Sequence, residues 1–189
     1  FIFFLSIEHL GEQPLAATNI IRNISSFTFM AVVALASTAS TLVSNLMGQG
    51  EPQSVRPMLR RTIIMAYGIL TPILLLIAIF PTEVMRIFTT DAPLMEAARV
   101  ALYVQLCSYF FSIPAQILFH AVSGTGNTRI AFVIEIGTLI IYTCYVAIAI
   151  FHLRLSLPWC WASEIVYSSI VLVLCYLYMR SGKWQSKQI

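Results

Sequence analysis

Five long apolar stretches, each closed off by turn-forming residues, leave this sequence few folds to choose from. They fall near residues 16–47, 62–80, 94–122, 130–152 and 159–179. A helix needs roughly 20 apolar residues to cross about 30 Å of hydrocarbon, and several of the stretches reach or exceed that length. Gly11-Glu12-Gln13-Pro14, Gly48-Gln49-Gly50-Glu51-Pro52, Pro81-Thr82-Glu83, Ser123-Gly124-Thr125-Gly126-Asn127 and Ser156-Leu157-Pro158 supply the breaks. Strand-like alternation is missing, which argues against a transmembrane barrel. With 59% hydrophobic and 10% charged residues the chain lies outside the soluble range. The expected fold is an all-α, polytopic transmembrane helix bundle.

The apolar run Phe1 to Ile7 is too short to span before Glu8, Glu12 and Pro14 interrupt it. It lacks the basic flank and small-residue cleavage site of a signal peptide. We therefore expect a partial helix over residues 1–10, the remainder of a truncated first helix in a longer protein. Pro57 and Pro158 suit first-turn positions, whereas Pro72 and Pro114 lie inside helices. Arg56, Arg60, Arg61, Arg129, Arg180, Lys183 and Lys187 fall at one set of helix ends, and Arg86 and Arg154 at the other. That bias places the first set, with the C-terminus, on the cytoplasmic side of a cell inner membrane. Trp159 and Trp161 mark one interface, and Tyr176, Tyr178 and Trp184 the other. Residues 82–96 are too polar to cross; Val84, Met85, Ile87 and Phe88 suit either a short surface helix or a solvated loop.

Along the stretch 16–47 polar and small residues recur at helical spacing. At roughly 100° per residue, Asn19, Asn23, Ser26, Met30, Ser37, Thr41, Ser44 and Gly48 share a narrow face, with Arg22 and Ala34 at its edges. The opposite face carries Ile21, Val32, Leu35, Ala39, Leu42 and Leu46, with Thr28 its polar exception. One side suits lipid and the other a cavity or another helix. Gln105, Ser108, Ser112 and Gln116 form a second polar group around Pro114. They either bind substrate or hydrogen-bond to a neighbouring helix.

Ionisable residues inside a membrane are costly and usually face a cavity or a partner. Glu8 and Glu164 lie toward the same side as Arg22. Two readings stand: a structural ion pair with Arg22, or a proton- or ion-coupling acid that responds to opening of a cavity. Glu135 is expected to snorkel to the interface or cap a loop. Cys107, Cys144, Cys160 and Cys175 are scattered through apolar segments, and no metal-ligand spacing joins them to histidine. No metal site and no cofactor are expected. The chain has no H-E-x-x-H, G-x-S-x-G or P-loop motif, and Gly124-Thr125-Gly126 is only a Gly-rich turn, so an enzyme is not expected.

Leu15-Ala16-Ala17-Thr18-Asn19-Ile20-Ile21-Arg22-Asn23-Ile24, Leu42-Val43-Ser44-Asn45-Leu46-Met47-Gly48-Gln49-Gly50 and Ser123-Gly124-Thr125-Gly126-Asn127-Thr128-Arg129 together resemble the multidrug and toxic compound extrusion (MATE) family. Their order and spacing carry the likeness, which spans nearly the whole chain as a C-terminal half, from the seventh to the twelfth helix. The resemblance implies the C-terminal six-helix lobe of a secondary antiporter, with its N-terminal lobe absent. Its implied partners are membrane lipid, an organic cation or drug, H+ or Na+, and the missing lobe, with no nucleic acid. The stretch 16–47 becomes the family's eighth helix, facing the cleft between lobes. Asn19, Arg22, Asn23, Ser26, Met30, Ser37, Thr41, Gln105, Ser112 and Gln116 are then the expected cleft lining. Sodium-coupled members commonly carry an acid midway along the seventh and tenth helices; the tenth-helix stretch Cys107 to Phe119 here contains none, and the middle of the seventh is expected to lie outside this chain. Glu8 and Glu164 remain as coupling acids in this chain, and the absent lobe as the other source. Two further readings are a lipid-linked oligosaccharide flippase of the same superfamily, which calls for a more cationic cavity, and a non-transporting membrane scaffold. The scaffold reading predicts a polar stripe buried against a neighbouring helix.

Overall fold

In a computed structural model, residues 7, 11–149, 153 and 155–185 are described. The expected partial helix over residues 1–10, and with it Glu8, lies outside these apart from Ile7. The chain is an antiparallel succession of helices: α1 (Glu12–Gly48), α2 (Val55–Ile79), the short α3 (Pro81–Arg86), α4 (Ala92–Gly124), α5 (Thr128–Ala147), the short α6 (Leu157–Trp161) and α7 (Ser163–Ser181). A single 3-10 turn, Pro52–Ser54, precedes α2. Among the described residues five helical stretches are long and apolar enough to cross a membrane. No strand occurs among them.

The expected spans differ in detail. The second begins at Val55 rather than 62, so Arg56, Arg60 and Arg61 belong to the helix itself. The last is divided at Ala162 into α6 and α7. The fourth ends as a regular helix at Ala147, and the final residues of its expected range, 150–152, lie outside the described set. Within 82–96 a short helix does form, but it ends at Arg86, and its Met85 is buried in the core rather than laid on a surface. Asp91 then caps α4, its side-chain oxygen accepting from the Leu94 amide, with Pro93 in the first turn.

α4 is the spine of the bundle, packed chiefly between α1 and α7 and also touching α2 and α5. Small residues allow the close approach: Ala36 and Ala39 of α1 are fully buried in one cluster with Ala115 and Ala121 of α4. At Gly124 the fit is closest, because a β-carbon there would lie 2.6 Å from the Ser40 carbonyl oxygen. The Ser44 hydroxyl donates to the Gly124 carbonyl at 2.9 Å on the same contact. Two residues on, Gly126 adopts a φ of 75°, the left-handed turn that leads into α5. The glycines of the Ser123–Arg129 loop thus serve packing and chain reversal.

Proline at 114 cannot donate to the carbonyl four residues earlier. That acceptor, on Phe110, instead receives the hydroxyl of Tyr67 from α2. At the start of α2, Arg56 donates to the carbonyls of both Met179 and Arg180, at 3.0 Å each, and so caps the end of α7. The Trp184 indole also donates to Met179 O, at 2.9 Å, and its side chain is fully buried. Trp161 is buried as well, so of the expected tryptophan interface markers only Trp159 is exposed. A packed indole with a local acceptor satisfies its polar edge without reaching a headgroup layer. These contacts gather the ends bearing Arg56, Arg60, Arg61, Arg129, Arg180 and Lys183 at one end of the bundle.

Candidate functional site

The polar stripe of α1 lies on the surface of the bundle. Arg22, Asn23, Ser26, Met30, Ser37, Thr41, Ser44 and Gly48 are exposed, and Asn19 is half-buried. The apolar face behind it is where the helix docks: Ile21, Thr28, Val32 and Ala39 are buried. Leu35 and Leu46 of the same side are half-buried and Leu42 is exposed, so the side expected to suit lipid is largely taken up by packing. Apolar side chains serve equally well against lipid or protein, and here the packing against α4 takes them.

The stripe makes few demands on neighbours. The Ser26 hydroxyl donates to Arg22 O at 2.7 Å, and Thr41 to Ser37 O at 3.2 Å, each one turn back on the same helix. The donors are satisfied internally while oxygen lone pairs stay outward, so the face can meet water or a ligand without a protein partner. A scaffold would bury this stripe on another helix; among the described helices α4 meets it at Ser44, while Asn23, Ser26, Met30, Ser37 and Thr41 stay exposed.

The second polar group is enclosed. Gln105 and Ser112 are buried on α4, and Gln116 is half-buried. Ser108 donates to the carbonyl of Gln105 at 2.7 Å and to its side-chain oxygen at 3.3 Å. The structure therefore does not bring Gln105 and Ser112 onto the exposed face that carries Asn23, Ser37 and Thr41; they lie behind it.

Tyr109 joins the two groups. Its hydroxyl donates to the carbonyl of Ser25, adjoining Ser26 on α1, at 2.7 Å. Gln105 and Glu164, the latter at the start of α7, both contribute to its electrostatic environment. Tyr142 of α5 and Tyr167 of α7 also stand close enough to Glu164 to feel its charge. Their rings meet edge-on, with centroids 5.9 Å apart. Glu164 is half-buried, and the tyrosines that feel its charge come from three helices.

Glu135 departs from the snorkelling or loop-capping expectation. Tyr167 donates to its two carboxylate oxygens at 2.8 and 2.9 Å, binding α5 to α7. Neither Tyr142 nor Tyr167 stands out by sequence position. The available signal was their chemistry, because a tyrosine within an apolar helix needs an acceptor for its hydroxyl.

With this arrangement in view, comparison with known proteins is decisive about family. The MatE family model matches residues 1–157. The chain belongs to the MatE family. It is 27% identical over 183 residues to "Probable multidrug resistance protein NorM" of Thermotoga maritima, covering 95% of this chain and 39% of that protein. It is 24% identical over 184 residues to "Probable multidrug resistance protein YoeA" of Bacillus subtilis, covering 97% of this chain and 40% of that one. The chain thus spans about two-fifths of the length of these curated relatives. No solved structure matches it. Family and helices together make it a multi-pass membrane protein.

Proposed function

We propose that the chain forms one lobe of a secondary antiporter that exports drugs or organic cations in exchange for protons or sodium ions. The observation that carries this reading is the exposed polar face of α1, held outward by an apolar face packed into the bundle. Asn19, Arg22, Asn23, Ser26, Met30, Ser37 and Thr41 line the substrate path, with Gln105, Ser112 and Gln116 in the layer behind. A face of hydroxyls, amides and one thioether, with Arg22 its single charge, suits amphipathic substrates better than it suits a small coupling ion.

Coupling within this chain is assigned to Glu164, with Glu8 as the other acid and the absent N-terminal lobe as a further source. Tyr109 supports the assignment, since its hydroxyl holds the stripe backbone at Ser25 and feels the charge of Glu164. A change of charge at Glu164 alters the field at Tyr109, and through it the hold of α4 on α1. The two lobes then rock about the cleft between them, and occupation of the coupling site biases which side is open. The positively charged end of the bundle, with the C-terminus, faces the cytoplasm by the positive-inside rule.

The test is efflux of a fluorescent organic cation by the full-length protein in proteoliposomes, with and without an imposed proton or sodium gradient. Gradient-driven efflux supports antiport. Movement of the cation at the same rate without any gradient overturns it.

A further inference from the structure

A groove of about 740 Å³ opens between α2, α4 and α7 at the basic end of the bundle, away from α1 and the stripe. Its walls are apolar, with Ile63 and Leu118 among them, and its rim carries Arg56, Arg60 and Arg180. The volume lies within the range of roughly 300–1,000 Å³ usual for ligand sites.

The three guanidiniums are not equivalent. Arg56 is committed to the carbonyls that end α7. The guanidiniums of Arg60, one turn further along the same face of α2, and of Arg180 make no hydrogen bond or ion pair among the described residues. An orientation bias requires positive charges at this end of the protein, but it does not require them to converge on an apolar groove. Arg60 and Arg180 are exposed at the ends of α2 and α7, where long cationic side chains beside apolar surface can meet an anionic headgroup. Below the rim the groove offers only apolar surface, which continues over the exposed outer faces of α2 and α7 at Ile64 and Leu177. Tyr176, exposed on the groove, suits the headgroup layer.

We propose that this groove binds an anionic glycerophospholipid, with its phosphate between Arg60 and Arg180 and an acyl chain along Ile63 and Leu118. A free anion would leave the apolar wall unused, and a zwitterionic lipid would leave net positive charge uncompensated. Basic pockets between transmembrane helices are a known physical basis for selecting anionic headgroups.

Native mass spectrometry of the delipidated full-length protein, with phosphatidylglycerol or phosphatidylcholine added at equal concentration, tests the proposal. One phosphatidylglycerol should be retained in preference to phosphatidylcholine. The double substitution R60Q/R180Q should weaken that adduct roughly thirtyfold, while R60K/R180K keeps it. Ile64→Trp, which fills the groove without touching charge, should also remove it. Equal retention by the native protein, R60Q/R180Q and Ile64→Trp overturns the proposal. Equal retention of the two lipids, or displacement of the adduct by millimolar inorganic phosphate, overturns it too.

Discussion

Tyr67 donates its hydroxyl to the carbonyl oxygen of Phe110, the acceptor that Pro114 leaves without its helical amide partner. Loss of that hydroxyl in Tyr67→Phe should destabilise the protein by about 1 kcal/mol, since the acceptor then has no replacement donor in hydrocarbon. Restoring the amide removes the need for it. In a Pro114→Ala background the cost of Tyr67→Phe should shrink toward zero, measured by thermal unfolding in detergent as a double-mutant cycle. Equal costs in the two backgrounds would contradict the account.

Gly124→Ala places a methyl group 2.6 Å from the Ser40 carbonyl oxygen, and backbone on both sides prevents easy relief. It should destabilise by about 1–3 kcal/mol and separate α1 from α4. Gly137→Ala on α5 meets nothing within 4 Å and should be neutral or slightly stabilising. Thermal unfolding of the two variants side by side checks the difference.

Arg56→Gln removes the cation that caps α7 at Met179 and Arg180. A cost of about 1–2 kcal/mol is expected, concentrated at the end of α7. Hydrogen–deuterium exchange should rise over residues 176–184 in the variant while the first turns of α7 stay protected.

Tyr109→Phe keeps the ring but removes the hydroxyl that donates to Ser25 O. If coupling passes through Glu164, gradient-driven efflux should fall in Tyr109→Phe and fall further in Glu164→Gln, while cation binding to the detergent-solubilised protein persists. Glu135→Gln serves as the comparison, because it removes a different half-buried acid, the one that ties α5 to α7 through Tyr167. An unchanged gradient response in Glu164→Gln would move coupling from Glu164 to Glu8 or to the other lobe.

The helices were legible because hydrocarbon demands long apolar segments and the breakers between them are emphatic. The polar face of α1 was legible for the same reason: helical spacing alone groups Asn23, Ser37 and Thr41. What spacing could not supply was the neighbour of each face. Val32 and Ala39 are as compatible with lipid as with α4, and only the small residues Ala36 and Ala39 hint at a close helix contact. Ser108 and Gln105 looked able to bind substrate, yet they satisfy one another inside the bundle. The Tyr167–Glu135 bond and the tyrosines around Glu164 depend on how α4, α5 and α7 come together, which no local pattern encodes.

The central claim is that the exposed face of α1 meets water on a substrate path. Single cysteines at Ser37, Thr41 and Ala39, in full-length protein with Cys107, Cys144, Cys160 and Cys175 replaced by serine, measure this directly through reaction with a membrane-impermeant thiol reagent. The account predicts fast labelling at 37 and 41, slowed by a transported cation, and little labelling at 39, whose native side chain is fully buried. Equal protection at all three positions, or labelling at 37 and 41 that the cation leaves unchanged, would contradict it.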